Sequence, residues 1–242
     1  MIQATWSGGI DSTAVVGHLL KSGRDVRAIS IEIYKDQQPL MWQRECNARS
    51  KLSPVMQAIA AESGATFEQV TVPGEWIWAF SPDGVEIPNR NRHIIDHLVA
   101  GHCIKLGDTD LAMGEYIGAD SWVVQDHVDA MDADSRSLTS YLLLQWGLPY
   151  RLWTMADFGE CRYKHNRVAM LIDAVGKEAA LATTNCLYNC DPHCGKCYKC
   201  IERHVAFTMN DVEDTTDYKT KPSLERPQFD DYVAQMKEAH AH

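Results

Sequence analysis

With 242 residues, 45% of them hydrophobic and 23% charged, the chain has the composition of an ordinary globular protein of one large domain or two small ones. Twenty-three Lys and Arg against 33 Asp and Glu leave a formal charge of −10, which repels a polyanion, so no direct nucleic-acid binding is expected. No apolar run approaches the roughly 20 residues of a membrane span, and no basic flank with an apolar core opens the chain, so a soluble, cytoplasmic protein without a membrane partner is expected.

Ile2 to Trp6 reads as a short buried strand, Ser12 to Leu20 as a helix ended by Ser22-Gly23, and Val26 to Ile33 as a second strand. A helix from about Cys46 to Ser63, closed by Gly64, leads into the strand-like F-E-Q-V-T-V. This β-α-β-α alternation predicts an α/β fold: a parallel sheet with helices on both faces and ligands at the carboxyl ends of its strands. The run E-W-I-W-A-F-S-P-D-G-V-E-I-P-N-R-N reads as a long loop, because Pro82, Gly84 and Pro88 interrupt any period. A helical pattern over 91–106, the strand-like T-D-L-A-M-G and an acidic stretch from Asp120 to Asp134 follow. After a helix over 138–146, R-L-W-T-M reads as a strand and 163–175 as a helix. A cysteine knuckle, a helix near Tyr198 to Phe207 and a polar tail with a short helix beginning at Gln228 complete the chain. The expected organisation is a nucleotide-binding domain over 1–180, a metal-binding segment packed on it over 181–220, and a tail over 221–242.

Between the first strand and its helix stands S-G-G-I-D-S, Ser7 to Ser12. Glycines without a Cβ let backbone N–H groups approach an anion, the following helix adds its positive end, and the two serines add hydroxyl donors. A capped strand-to-helix turn accounts for a bare S-G-G but not for the whole run in this position. The G-K-[ST] ending of a Walker loop is missing, which counts against γ-phosphate transfer. Neither Asp11 nor Ser12 reads as a core residue, so both are expected to be replaceable without loss of the fold.

Five of the eight cysteines crowd between Cys186 and Cys200. Cys194, Cys197 and Cys200, spaced C-x2-C-x2-C, with Cys186 or Cys190 as fourth, suit a structural zinc held by four thiolates. His93, His97 and His102 share one predicted helix, but H-I-I-D-H lacks the zincin glutamate. The five aspartates from Asp120 to Asp134 read as a solvated loop, with Mg²⁺ binding the lesser reading.

The loop, I-P-N-R-N, a lysine opening a late helix (Lys164), C-G-K-C-Y-K-C-I-E-R-H-V-A-F and E-D-T-T-D-Y together resemble the 7-cyano-7-deazaguanine synthase family of PP-loop ATP pyrophosphatases, as a diverged member, from about Ile2 to Tyr218. The resemblance implies a carbon–nitrogen ligase that converts 7-carboxy-7-deazaguanine and ammonia to the nitrile through an acyl-adenylate, releasing AMP and pyrophosphate, in queuosine or another 7-deazaguanine nucleic-acid modification. It implies ATP on Ser7, Gly8, Gly9, Ile10, Asp11, Ser12 and Thr13, catalytic roles for Asp11, Ser12 and Lys164, and Arg203 as a further cation for the pyrophosphate. Zn²⁺ would sit on Cys186, Cys194, Cys197 and Cys200, Mg²⁺ would accompany ATP, and Arg90, Asn91, Asp134 and Arg136 would hold the deazapurine acid. With no glutaminase segment before the loop, free ammonia is the expected nitrogen source; a homodimer is the expected assembly. The family's D-Y-G-Q-[RK]-H is here I-Y-K-D-Q-Q, and its substrate loop is a longer run ending A-D-S-R. A relative that stops at the amide, or that passes the deazaguanine to another acceptor in phage DNA modification or antiphage defence, therefore stays open. So do a tRNA-thiolating enzyme and a non-catalytic nucleotide sensor.

Overall fold

The computed structural model describes residues 1–32, 35–36, 38–74, 99, 101–103, 105–108, 110–114, 151–153, 155–158, 164–186 and 188–222. The expected loop before Asn91, the acidic stretch, the helix over 138–146 and the terminal helix lie outside these residues, as do His93 and His97.

Five strands are described: β1 (Ile2–Thr5), β2 (Val26–Ile31), β3 (Phe67–Val72), β4 (Asp110–Ala112) and β5 (Arg151–Trp153). They form one sheet in the order β3-β2-β1-β4-β5, and every pairing is parallel, with Ala4 opposite Ala28 on one side and Ala112 on the other. α1 (Ile10–Lys21) crosses from β1 to β2 and α2 (Pro39–Ser63) from β2 to β3. The chain then returns past β1 to lay down β4, so strand order reverses between β1 and β4, where open α/β sheets bind ligands. α3 (Lys164–Val175), α4 (Lys177–Leu181) and α5 (Tyr198–Met209) follow β5.

Alternation along the strands splits the core in two. Ile2, Ala4, Val26, Ala28 and Ala112 pack with residues of α1, α2, α3 and α5, whereas Ile29, Leu111 and Met113 pack with Val99 and Cys103 on the other face. Both faces of the sheet are thus covered, as parallel strands require. Burial pushes the Cys103 thiol up to about 12, which makes it an apolar filler without nucleophilic character.

Two elements depart from the sequence reading. α2 begins at Pro39, seven residues before the expected start near Cys46, because Asn189 Oδ1 accepts hydrogen bonds from Leu40 N at 2.8 Å and Met41 N at 3.3 Å. The cap comes from far along the chain, and the local mark of this start is Pro39 at the first helical position. α4 was absent from the expected elements; it is one short turn entered through Gly176 at φ 82°.

Gly17 marks where α1 and α3 approach most closely, since a Cβ there would lie 3.0 Å from both Ala174 Cβ and Val175 Cγ1. Gly17→Leu should cost about 1–3 kcal/mol through overpacking, lowering the midpoint of chemical denaturation without changing its slope.

Candidate functional site

The C-terminal end of β1 runs into Ser7-Gly8-Gly9 and the first turn of α1. Gly8 sits at φ +82°, and a Cβ on it would lie 3.0 Å from Ala48 Cβ and 3.2 Å from Glu45 O, so both backbone and space demand glycine. Gly9 caps α1 without a side-chain bond, which leaves first-turn N–H groups for an anion. The hydroxyls shape the loop from within: Ser7 N donates to Ser12 Oγ at 3.3 Å, Ser12 Oγ to Gly9 O at 3.4 Å and Gly9 N to Ser7 Oγ at 3.2 Å. Arg49 holds the loop from α2, donating to Ser7 O at 3.1 Å, and Thr184 N holds it from the other side through Gly8 O at 3.0 Å. Two members of the run face inward. Ile10 is fully buried, and Thr13 Oγ1 accepts from Trp6 Nε1 at 3.1 Å, tying the helix to β1.

Asp11 points at the start of α3. Lys164 Nζ, fully buried, donates to its Oδ2 at 2.6 Å, and Arg167 lies 3.4 Å from Oδ1. Burial alone would raise the Asp11 carboxyl, but Lys164 and Arg167 outweigh it and hold it well below the usual carboxylate range. Burial lowers the Lys164 ammonium despite Asp11. This corrects the expectation that Asp11 and Ser12 are dispensable to the fold: Asp11 neutralises a buried lysine and Ser12 is itself buried.

The loop opens into a cavity of about 320 Å³ whose walls include Ser7, Asp11, Ser12, Glu45, Asn185 and Lys199. Gly114, just past β4, closes one side; a Cβ there would lie 2.5 Å from Ser12 N and Cα. Glu45, Gly114 and Lys199 were not singled out from sequence. Only Gly114, a glycine directly after a strand pattern, left a usable trace. Burial pushes the Glu45 carboxyl up to about 7 even though Arg49 and Arg44 pull it down.

Behind the cavity, the sulfurs of Cys186, Cys194, Cys197 and Cys200 lie within 4.8 Å of one another. Cys194 and Cys200 are 3.8 Å apart, Cys186 and Cys197 4.0 Å, and Cys197 and Cys200 3.4 Å. A tetrahedral zinc with Zn–S bonds near 2.3 Å needs sulfurs about 3.8 Å apart, so this donor set fits zinc and leaves no position for water. Cys190 lies beside the four, 3.7 Å from Cys186 and 3.8 Å from an Arg44 nitrogen. Arg203, the expected second cation, is fully buried away from the loop. It donates to Asp214 Oδ1 at 3.2 Å, Thr216 Oγ1 at 2.7 Å, Thr183 O at 3.0 Å and Leu181 O at 2.9 Å, stapling the segment after α5 onto the knuckle. Arg90, Asn91, Asp134 and Arg136 lie outside the described residues.

A glycine-serine loop at the reversal point of a parallel sheet, backed by a four-cysteine knuckle, makes this an α/β protein whose fold is consistent with the PP-loop class. No protein-family model matches the chain. It is similar to curated 7-cyano-7-deazaguanine synthases at low identity along most of its length. The second such enzyme of Colwellia psychrerythraea is 23% identical over 225 residues, covering 88% of this chain and 96% of the relative. Those of Pseudoalteromonas translucida and Hahella chejuensis are 25% and 24% identical over 227 residues each, covering 88% and 90% of this chain and 96% and 92% of the relatives. These likenesses, at 22–25% identity, support the resemblance to a diverged member of the 7-cyano-7-deazaguanine synthases. Among the described residues, no helix is long and apolar enough to cross a membrane.

Two measurements check the site's construction. Asp11→Ala should destabilise the fold by about 3–5 kcal/mol, because it strands a buried ammonium, and Asp11→Ala with Lys164→Met should recover much of that. The depressed carboxyl contributes stability that is complete above about pH 4, its unfolded value, and is lost only as pH falls toward the lower folded value. In metal analysis, the parent should carry one zinc per chain, and Cys197→Ser should lose both the zinc and several degrees of Tm, at about 2–4 °C per kcal/mol.

Proposed function

We propose that the chain is an AMP-forming carbon–nitrogen ligase that activates 7-carboxy-7-deazaguanine with ATP and condenses it with ammonia, first to the amide and then to 7-cyano-7-deazaguanine. The observation that carries this reading is the cavity where the loop's Ser7, Gly9 and Ser12 meet Lys199 at the point of strand reversal. The named relatives, matched over most of their length, support the substrate.

A carboxylate resists attack by ammonia until one oxygen is esterified. In this reading the first-turn N–H groups of α1 and the Ser7 and Ser12 hydroxyls hold the α-phosphate while the substrate carboxylate attacks it, and pyrophosphate leaves. Mg²⁺ accompanies the nucleotide. Asp11, held ionised by Lys164 and Arg167, is a poor proton acceptor; it positions the loop and keeps two cations behind the phosphates. Lys199 is the cation that lines the cavity among the described residues and faces the departing pyrophosphate. Zinc on Cys186, Cys194, Cys197 and Cys200 would fix the chain at Asn185 and the start of α5, which bring Asn185 and Lys199 to the cavity wall, and no step of the reaction passes through it. Arg90, Asn91, Asp134 and Arg136 are the proposed readers of the deazapurine and its carboxylate.

Incubation with 7-carboxy-7-deazaguanine, MgATP and ammonium, followed by mass spectrometry and nucleotide analysis, should give the nitrile with AMP and pyrophosphate. ADP as product would rule out the PP-loop assignment of the chemistry. Amide that persists with excess ATP would identify an enzyme that stops after one adenylation, the alternative that the altered run ending A-D-S-R keeps open.

A further inference from the structure

The proposed reaction leaves protons to be accounted for. At neutral pH ammonia is present as ammonium, which has no lone pair for attack. Converting ammonium and the acyl-adenylate to amide and AMP releases two protons from nitrogen: one before the C–N bond forms, and one after it, as the C–O bond to AMP breaks and AMP leaves with that electron pair. In the second round the amide nitrogen gives up both of its N–H protons: one as the amide oxygen is adenylated, leaving a neutral imidate, and the other as the N–H electron pair becomes the third C–N bond while AMP again departs. Each round therefore needs a proton acceptor beside the reacting carbon.

Among the described residues lining the cavity there are two carboxylates, Asp11 and Glu45. Asp11 is committed to a 2.6 Å ion pair with Lys164 and a second contact with Arg167. Glu45 is placed differently. It belongs to the turn of α2 that packs on the loop, its backbone oxygen 3.2 Å from where a Gly8 Cβ would stand, and its side chain is 16% exposed at the cavity wall. Its ion pair with Arg49 is long, 3.7 Å. That guanidinium is shared, donating also to Ser7 O at 3.1 Å and Cys46 Sγ at 3.2 Å and lying 4.8 Å from the Trp42 ring centre. A carboxylate that is partly withdrawn from water and only loosely paired keeps its basicity.

We propose that Glu45 is the catalytic proton acceptor for the nitrogen: it takes the proton from ammonium before attack and the N–H proton in the later steps, its carboxylate becoming a carboxylic acid that returns the proton to solvent. This assignment rests on the ligase reading above. The charged groups around it are Arg44 and Arg49 from α2, Asp11 from α1 with Lys164 of α3 behind it, and Lys199 from α5. The cations favour the carboxylate form and burial opposes it; burial prevails, bringing the group to about 7, where acceptance and release are both easy.

The test separates adenylation from nitrogen transfer. Exchange of labelled pyrophosphate into ATP, dependent on 7-carboxy-7-deazaguanine, reads adenylation alone; hydroxylamine, already uncharged at neutral pH, traps the acyl group without a prior proton transfer. Glu45→Gln should keep exchange and hydroxamate formation, lose about 10²-fold or more of the ammonium-dependent rate, and lose the acid limb near pH 7 in the plot of rate against total ammonium, its residual rate following free ammonia instead. Glu45→Asp, which keeps a carboxylate, should retain that limb at a reduced rate. An unchanged ammonium-dependent rate and limb in Glu45→Gln overturns the proposal. So does loss of exchange in Glu45→Gln and Glu45→Asp alike, which would make Glu45 a residue that holds the nucleotide or the fold. If the parent itself shows no acid-dependent exchange, the ligase reading fails and the proton assignment falls with it.

Discussion

A lysine with no solvent exposure stands at the first position of α3, and the site is arranged around keeping it charged. An unpaired ammonium in that position would lose its hydration and shed its proton. Asp11 answers it at 2.6 Å, and because Asp11 sits in the first turn of α1, the pair joins two helix starts separated by 153 positions in sequence. The helix dipole at that end also favours the carboxylate. Farther along, the same two helices meet where Gly17 faces Ala174 and Val175 at the end of α3, so an ion pair at one end and a close contact toward the other fix their crossing. The anion loop is the linker between β1 and this clamped helix. The clamp fixes the helix end of this linker, so Asp11 has an architectural part through its pairs with Lys164 and Arg167.

The cysteine segment fastens the other side of the site. Thr184 bridges to Gly9, Asn185 Nδ2 donates to Lys199 O at 2.7 Å, and Asn189 caps α2. Arg44 of α2 donates to Cys186 O at 3.1 Å and Tyr188 O at 2.9 Å. α2 and α5, which carry Glu45 and Lys199, are thus both attached to one short loop of cysteines whose sulfurs fit a metal. The chain beyond α5 locks it from outside. Tyr218 donates to Asp214 at 2.6 Å, and the backbone at Thr220 passes so close to Gly195, itself at φ +70°, that any side chain there would collide with it. A metal held by four sulfurs suits this task, since it crosslinks residues too few to build a core of their own.

What the sequence discloses divides along the same line. S-G-G-I-D-S and C-x2-C-x2-C are local patterns whose geometry is set by neighbours a few residues away, so both were readable, as was the alternation that makes a parallel sheet. The start of α2 left one local mark, Pro39 at its first position, which the reading passed over, while its cap arrives 149 positions later. Arg203 looked like a ligand for phosphate because it lies near a motif; only the fold reveals Asp214 and the carbonyls that claim it. Asp11 and Ser12 looked peripheral because a polar residue in a glycine loop is usually solvated, and only the arrival of α3 buries their surroundings. Glu45 belongs to no spacing pattern, and its chemistry comes from the walls around it.

The charge distribution resolves an apparent conflict between a formal charge of −10 and a site for anions. Screening limits a surface charge to about 8 Å at physiological salt, so a small anion in the cavity responds to what lies within that range. Around Asp11 and Glu45 stand Arg44, Arg49, Lys164, Arg167 and Lys199, contributed by three different helices. Four thiolates on one zinc would carry a formal charge of about −2, and Arg44, whose guanidinium donates to Cys186 O and Tyr188 O, faces the cysteine loop as well as Glu45. A long polyanion would meet the acidic surface as well as this patch, whereas a nucleotide and a small carboxylic acid meet the patch alone. The net charge thus disfavours nucleic acid without disfavouring the phosphates and carboxylate that the proposed ligase must hold.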